Sequence, residues 1–185
     1  MDAFESLIAT LLRRQGYWVE TSFKVELTKA EKRKIGRPSS PRWELDLVAY
    51  KGDANEILAV ECKSFLDSPG VKIRDNEFYP SKRYKLFTDV VLRRMVLRRL
   101  AHQLIERGSC RKDPAITLCL AAGNIANQAS RDWITKRFRK MSWRLFDPAW
   151  IREELVTASS SSYENEVSLV VAKILTRNGG GQEVD

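Results

Sequence analysis

The sequence predicts an α/β fold, and three patterns along the chain carry that prediction. An amphipathic helical pattern covers residues 2–15, where apolar side chains recur at three- and four-residue spacing. Two apolar strand patterns, 44–50 and 57–63, flank a short run of turn-forming residues, as in a β-hairpin. A further apolar run at 115–122 lies between two helical patterns, an alternation typical of α/β proteins.

In chain order the patterns predict a helix, three strands, a helix, a strand, a helix, a strand and two terminal helices. The predicted helices cover 2–15, 87–107, 124–140, 148–156 and 163–177, and the predicted strands cover 17–27, 44–50, 57–63, 115–122 and 142–146. Residues 29–41 and 64–85 are predicted as loops, because they are polar or rich in chain-breaking residues. We expect a single domain over 1–178 and a flexible tail at 179–185.

The composition is that of a globular protein with one core. The chain has 185 residues, of which 43% are hydrophobic. No apolar stretch is long enough to cross a membrane, and no signal peptide pattern precedes the first helix. The three cysteines, Cys62, Cys110 and Cys119, lack metal-ligand spacing, which favours reduced thiols and a cytoplasmic location. The single histidine, His102, has no partners spaced for a zinc site or a catalytic triad.

The predicted hairpin carries charges where an apolar hairpin should have none. Because side chains alternate along a strand, Glu61 and Lys63 share one face. If the hairpin is symmetric about its turn, residues whose numbers sum to 107 lie opposite each other. Asp46 then faces Glu61, and Glu44 faces Lys63. Such charges need a partner, since burying an unpaired charge is very costly.

Two close carboxylates can be stabilised in two ways. They can share a proton, which raises one pKa, or they can bind a divalent cation such as Mg²⁺. In the second case Lys63 could orient an attacking water and stabilise negative charge that develops on a phosphate. The alternative is a surface hairpin with a Glu44–Lys63 ion pair, which the apolar character of both strands disfavours.

Asp46, followed after a gap of fourteen residues by Glu61-x-Lys63, resembles the motif of the PD-(D/E)XK nuclease superfamily. The superfamily includes many restriction endonucleases and the archaeal Holliday junction resolvases, and the segments Glu-Leu-Asp-Leu-Val-Ala and Val-Glu-Cys-Lys are particularly similar to the resolvase-like and methyl-directed restriction branches. Leu45 stands where the motif's name has proline. The resemblance implies a restriction endonuclease-like αβββαβ core to about residue 122, with a central mixed sheet flanked by helices and extra C-terminal helices beyond it.

The resemblance also implies roles for individual residues. Asp46, Glu61 and the carbonyl group of Cys62 would bind Mg²⁺ or Mn²⁺, and Lys63 would orient the attacking water. Glu5 lies on the apolar stripe of the first predicted helix, where acids are unusual. In the family this helix often supplies a glutamate to the metal site. Alternatively, Glu5 is a first-turn glutamate favoured by the helix dipole.

The charge of the chain favours a polyanionic partner. Its formal net charge is +8, and its basic residues concentrate in three regions. Each region alone is typical of a solvated surface, but together they suggest nucleic-acid binding. The residues expected to contact nucleic acid are Lys32, Arg33, Lys34, Arg37, Arg94 and Arg98.

These observations predict a Mg²⁺-dependent nuclease that hydrolyses phosphodiester bonds, with DNA as the expected substrate and RNA not excluded by the charge. A homodimer is compatible with a nuclease that cuts two strands. The alternative function is a non-catalytic module that binds nucleic acid or serves as a scaffold while retaining the nuclease fold. No membrane partner is expected.

Overall fold

The computed structural model describes residues 2–36, 42–162 and 164–177. In these residues the fold is α/β, with a mixed five-stranded sheet in the order β1-β2-β3-β6-β7. The strands are β1 (Trp18–Val25), β2 (Trp43–Lys51), β3 (Glu56–Lys63), β4 (Lys72–Arg74), β5 (Glu77–Tyr79), β6 (Ala115–Ala122) and β7 (Arg144–Phe146). The helices are α1 (Ala3–Arg14), α2 (Lys29–Lys34), α3 (Lys85–Thr88), α4 (Val90–Glu106), α5 (Gln128–Met141), α6 (Pro148–Ser159) and α7 (Val167–Arg177), with a 3-10 turn at Ser81–Arg83.

The central sheet combines an antiparallel and a parallel half. β1, β2 and β3 pair antiparallel, whereas β6 pairs parallel with β3 and β7 pairs parallel with β6. The parallel pairs need long crossover connections, which α4 and α5 supply. The small strands β4 and β5 form a separate two-stranded antiparallel sheet between β3 and α4.

Hydrophobic side chains fill both faces of the central sheet. On one face, α3, α4 and α5 pack against the sheet, and the fully buried residues there include Leu100 and Ile134. On the other face, α1 and α6 pack against the sheet through residues such as Ile8 and Ile151. The five strands therefore lie in the middle layer of an α/β/α arrangement, as the apolar runs of the sequence predict.

The two predicted loops contain regular structure. Residues Lys29–Lys34 form α2, which Thr28 begins through a capping box with Glu31. The Thr28 hydroxyl accepts from the Glu31 N–H at 3.2 Å, and the Thr28 N–H donates to the Glu31 carboxylate at 2.9 Å. The second predicted loop, 64–85, contains β4, β5 and the 3-10 turn. The loop predictions are therefore wrong for these residues, because a capping box stabilises α2 despite its polar composition and strand pairing forms β4 and β5.

Helix boundaries differ from the prediction at two places. The third predicted helix begins at Gln128 with Asn127 as its cap rather than at Asn124, since the Asn127 side chain accepts from the Ser130 N–H. The long helix predicted from residue 87 is divided into α3 and α4, with Asp89 as the cap of α4.

No described helix is both long and apolar enough to cross a membrane. The predicted tail, 179–185, lies outside the described residues.

The start of α4 departs from the usual burial of apolar and charged side chains. Val90 and Val91 are 46% and 57% exposed. Arg93 is only 9% exposed, although arginine is mostly found at protein surfaces. Its guanidinium donates to the carbonyl oxygens of Leu86 and Phe87 and lies 4.9 Å from the centre of the Trp143 ring. Arg93 therefore holds the end of α3 against α4.

Replacing Arg93 should destabilise the protein, because it leaves two buried carbonyl groups without their charged donor. We expect Arg93→Ala to lower the free energy of unfolding by about 2–3 kcal/mol. The neighbouring Arg94→Ala is the matched control, since Arg94 is exposed, and we expect a change within about 0.5 kcal/mol. Chemical denaturation of both variants measures the difference. Equal stabilities would contradict a structural role for Arg93.

Candidate functional site

The candidate site lies where β3 and β6 end side by side. The two strands pair along their whole length, from Glu56 opposite Ala115 to Lys63 opposite Ala122. One residue further, the Gly123 N–H donates to the Lys63 carbonyl oxygen at 2.9 Å. The carboxyl ends of parallel strands are a common position for ligand sites, because the connecting loops open a crevice there. Lys63 is thus held at this edge by a continuous ladder.

Asp46 reaches the site because the hairpin ladder stops just before it. The predicted register is confirmed for five pairs, from Leu47–Val60 to Lys51–Glu56, whose numbers each sum to 107. Beyond Leu47 the ladder does not continue, and Asp46 Oδ2 accepts from the Cys62 N–H at 2.6 Å. A side chain thus replaces the backbone bond expected at this position. This contact brings the Asp46 carboxylate close to the end of β3.

A backbone irregularity in β1 and β2 accompanies this change. Thr21 pairs with Leu47 and Phe23 with Leu45, while Ser22 and Asp46 between them are skipped. Ser22 has φ of +52°, a left-handed conformation that is uncommon for residues other than glycine. The two strands also exchange faces here, since Leu47 packs with α1 whereas Leu45 packs with α4. The irregularity resembles a β-bulge, a feature that often redirects side chains beside functional sites.

Asp46, Glu61 and Lys63 converge. Lys63 Nζ lies 3.7 Å from Asp46 Oδ2 and 3.5 Å from Glu61 Oε2, and it donates to the Cys62 carbonyl oxygen at 3.0 Å. The three charged side chains are only 14–25% exposed. Glu44, the alternative partner of Lys63, is exposed and lies opposite Lys24 of β1. The alternative interpretation, a surface hairpin with a Glu44–Lys63 ion pair, is therefore wrong.

Burial governs the electrostatics of the site. It raises the pKa of Glu61 to about 7, and the charges of Asp46 and Glu5 add to the rise while Lys63 opposes it. Burial also raises the pKa of Glu5, and the charge of Asp46 contributes. The pKa of the Cys62 thiol is raised for the same reason, so this thiol is protonated and unreactive at neutral pH. The carboxyl groups of Glu5, Asp46 and Glu61 thus lie close enough to repel one another, and Lys63 is the cation among them.

Glu5 caps the helix on which it lies. The Glu5 carboxylate accepts from the Asp2 N–H at 3.1 Å, and the Asp2 carboxylate accepts from the Glu5 N–H at 2.8 Å. This capping box begins α1 and gives Glu5 a structural task. Its electrostatic coupling to Asp46 and Glu61 nevertheless brings it into the neighbourhood of the site. Its predicted support of a metal remains a prediction.

The oxygen atoms of the site suit a hard cation that takes its remaining ligands from water. Within the described part of the chain, Asp46 Oδ1 and Glu61 Oε1 make no hydrogen bond or ion pair. The described residues contain no group of three His, Cys, Asp or Glu side chains arranged to hold a metal. Two carboxylates and the Cys62 carbonyl fit Mg²⁺, which keeps several waters, better than they fit Zn²⁺.

Sequence reasoning missed the residues that fix the strand ends. A Cβ on Gly123 would overlap the Ser64 carbonyl oxygen, so the two chain segments touch directly. Asn124 follows at once, and its carbonyl oxygen accepts from the Val71 N–H at 2.9 Å. The Ala126 N–H in turn donates to the Val71 carbonyl oxygen at 3.0 Å. A glycine that directly follows a buried strand was the available signal.

Five of the six residues predicted to contact nucleic acid lie on two helices. Lys32, Arg33 and Lys34 occupy the last turn of α2, and Arg94 is exposed on α4. Arg98 has a partner, since its guanidinium donates to the Glu31 carboxylate at 3.0 Å and so holds α2 against α4. Arg37 lies outside the described residues. Contact of these residues with nucleic acid remains a prediction.

Two arginines outside this set, Arg131 and Arg144, are also engaged in ion pairs. Arg131 pairs with Asp147, the cap of α6. Arg144 binds Glu56 at 2.7 Å and the Tyr17 hydroxyl at 3.0 Å. These arginines stabilise the fold and contribute less to an open basic surface than the sequence suggests.

In comparisons with known proteins, no family model, curated protein or solved structure matches this chain.

Gly123→Ala should displace the end of β3. The added methyl group overlaps the Ser64 carbonyl oxygen, and we expect a loss of about 1–3 kcal/mol in the free energy of unfolding. Gly52→Ala is the control, since the nearest atom to its Cβ is 3.9 Å away. Thermal denaturation compares the two variants. If Gly123→Ala is as stable as Gly52→Ala, the close contact between the two segments is not maintained in solution.

The raised pKa of Glu61 predicts a pH dependence of stability in metal-free buffer. Between pH 4.5 and about 7 the folded protein binds more protons than the unfolded chain, so stability falls as pH rises through this window. We expect Glu61→Gln to remove this dependence and to stabilise the metal-free protein at pH 8 by roughly 1–3 kcal/mol. Urea denaturation with EDTA at pH 5 and pH 8 measures it.

Glu44→Gln is the matched control for this measurement, because Glu44 is exposed on the neighbouring strand. It should retain the pH dependence of the wild type. A Glu61→Gln variant with an unchanged pH dependence would show that another group causes it.

Proposed function

We propose that this protein is a metal-dependent nuclease with a restriction endonuclease-like fold that hydrolyses phosphodiester bonds, with DNA as its substrate. The observation that carries the proposal is the convergence of Asp46, Glu61 and Lys63 at the carboxyl ends of β3 and β6. Their spacing in the sequence matches the PD-(D/E)XK motif. The net charge of +8 supports a polyanionic substrate.

In this proposal Asp46, Glu61 and the Cys62 carbonyl group hold Mg²⁺ or Mn²⁺ through oxygen donors. The bound cation would supply a Lewis acid that neutralises charge on the scissile phosphate. Asp46 keeps its position through the Cys62 N–H, which leaves its other oxygen available. Glu61 likewise has one oxygen outside its contact with Lys63. Glu5 adds negative charge nearby and so favours a cation at this position.

Lys63 would orient the attacking water and stabilise the charge that develops on the phosphate. Its ammonium group is fixed by the Cys62 carbonyl oxygen and lies between the two carboxylates. A preorganised charge of this kind costs no reorganisation when the reaction occurs. Its low exposure strengthens its interaction with a phosphate, because little water screens it.

The alternative function is a non-catalytic module that binds nucleic acid or serves as a scaffold. One observation favours it: Lys63 contacts both carboxylates, so part of their charge is compensated without a metal. In that case Asp46, Glu61 and Lys63 form a structural ion cluster at the end of the sheet. Metal binding distinguishes the two functions, since a structural cluster has no need of a cation.

Lys63→Ala should abolish cleavage and leave substrate binding nearly intact. The test uses supercoiled, linear, single-stranded and branched DNA, and RNA, each with Mg²⁺ or Mn²⁺. We expect the wild type to cleave at least one form and Lys63→Ala to be slower by at least about a hundredfold. Lys24→Ala removes an exposed lysine from β1 and is the control. A wild type that cleaves none of these substrates with either metal would overturn the nuclease proposal.

Asp46→Asn should abolish metal binding, because it removes a charge but keeps an oxygen that can accept from the Cys62 N–H. At a Mg²⁺ concentration about ten times Kd, we expect the Tm of the wild type to rise by about 3–6 °C and that of Asp46→Asn to stay constant. Glu44→Gln should respond like the wild type. Salt-dependent DNA binding combined with a wild-type Tm indifferent to Mg²⁺ and Mn²⁺ would favour the module.

A further inference from the structure

We propose that the small sheet of β4 and β5, here called the ribbon (Lys72–Tyr79), enters the major groove of double-stranded DNA. The inference deepens the proposed function by naming the substrate as duplex DNA and the element that contacts it. It rests on that function only for the position of cleavage, because binding by the ribbon needs no metal. A two-stranded β-ribbon is one of the elements that the major groove of B-DNA admits.

The ribbon is a tight hairpin with an exposed tip. Its strands pair Lys72 with Tyr79, Ile73 with Phe78 and Arg74 with Glu77. The two residues between the strands, Asp75 and Asn76, have φ of +51° and +58°. Two successive positive φ values are characteristic of a type I′ turn, which suits the twist of a two-stranded hairpin. The tip is therefore narrow and made of exposed polar residues.

One face of the ribbon fixes it to the protein. The Phe78 ring stacks on Tyr84 with 4.6 Å between ring centres and meets the edge of Trp133 at 5.6 Å. The Ile73 N–H donates to the buried Ser130 hydroxyl of α5 at 3.2 Å. The ribbon is thus fixed to α5 and to the start of α3 through Ile73 and Phe78. A rigid element binds a partner without a large entropic cost.

The other face of the ribbon is exposed, and it carries basic and aromatic side chains. Lys72, Arg74 and Tyr79 all lie on this face, and the Arg74 guanidinium is 5.5 Å from the centre of the Tyr79 ring. The following turn adds two further exposed cations, Lys82 and Arg83. Between residues 72 and 83 four basic residues stand against two acidic ones. Exposed cations on both sides of a ribbon suit the phosphates that border a groove.

The tip carries the side chains that read base edges in the major groove. Arginine pairs with the O6 and N7 atoms of guanine, asparagine pairs with adenine, and a carboxylate accepts from the amino group of cytosine. Arg74, Asn76 and Glu77 provide these three groups within four residues, and all three are exposed. Asp75 lies 3.6 Å from Arg74 and is itself 92% exposed, so this contact can open when DNA binds.

The ribbon and the candidate site are joined through one short segment, 123–126. At its start the Gly123 N–H holds the Lys63 carbonyl oxygen. At its end Asn124 and Ala126 bond both backbone groups of Val71, the residue directly before the ribbon. The base of the ribbon and the end of β3 are therefore fixed to the same piece of chain. Through this shared segment the ribbon would position a bound duplex relative to Lys63.

The test measures binding in EDTA, where no cleavage occurs, by fluorescence anisotropy with the full chain. The probes are a labelled B-form duplex, its single strand, an RNA duplex and the same DNA duplex carrying glucosylated 5-hydroxymethylcytosine. Glucosyl groups fill the major groove, whereas netropsin occupies the minor groove. We expect the wild type to prefer the unmodified DNA duplex, to lose about tenfold in affinity on glucosylation and to be unaffected by netropsin.

The variant is Lys72→Ala/Arg74→Ala, and both replaced side chains are exposed, so the fold should persist. We expect it to bind the duplex about tenfold more weakly, with a salt slope smaller by about 1–2, and to be insensitive to glucosylation. Lys112→Ala/Arg152→Ala removes the same charges from exposed positions outside the ribbon and is the control. Its sensitivity to glucosylation should equal that of the wild type.

Three results would overturn the ribbon proposal: tighter binding to single strands or to RNA, competition by netropsin, and equal weakening by the variant and the control. Each of these leaves the nuclease proposal intact, since cleavage is measured separately with Mg²⁺. Conversely, a ribbon that binds the major groove in a protein that cleaves no substrate would support this inference and contradict catalysis.

Discussion

The parallel pairing of β3 with β6 is the constraint on which the rest of the structure depends. Eight successive residue pairs join the two strands, and the ladder continues into the bond between Gly123 and Lys63. This pairing fixes the position of Lys63 at the end of β3 and the position at which the 123–126 segment begins. The hairpin partner β2 then needs only one side-chain bond, from Asp46 to the Cys62 N–H, to complete the group.

The negative charges at this edge are only partly compensated. One lysine stands against Asp46 and Glu61, with Glu5 nearby, and all are partly removed from water. A hydrophobic replacement of such a cluster often stabilises a protein, so a cluster of this kind is weak evidence for stability alone. Its place at the carboxyl end of β3 is consistent with the proposed binding of a charged ligand.

Much of the fold follows from local patterns in the sequence. Apolar alternation and the turn at 52–55 are enough to predict the hairpin and its register from Leu47–Val60 to Lys51–Glu56. The predicted pairing of Asp46 with Glu61 is not part of that ladder, and Asp46 approaches Lys63 because its side chain accepts from the Cys62 N–H instead. The polar composition of the segment predicts a loop where the short helix α2 forms, because its capping box stabilises the helix. The left-handed conformation of Ser22 and the tight contact at Gly123 are not predicted, because both depend on tertiary neighbours that a single sequence does not reveal.

Ser22 has a consequence for one outer edge of the sheet. β1 and β7 are its two edge strands, and an edge strand exposes backbone groups that can pair with another chain. At Ser22 the strand leaves regular β conformation and exchanges its two faces, so it cannot offer a continuous row of donors and acceptors. The irregularity that admits Asp46 to the site also disfavours growth of the sheet from one molecule into the next.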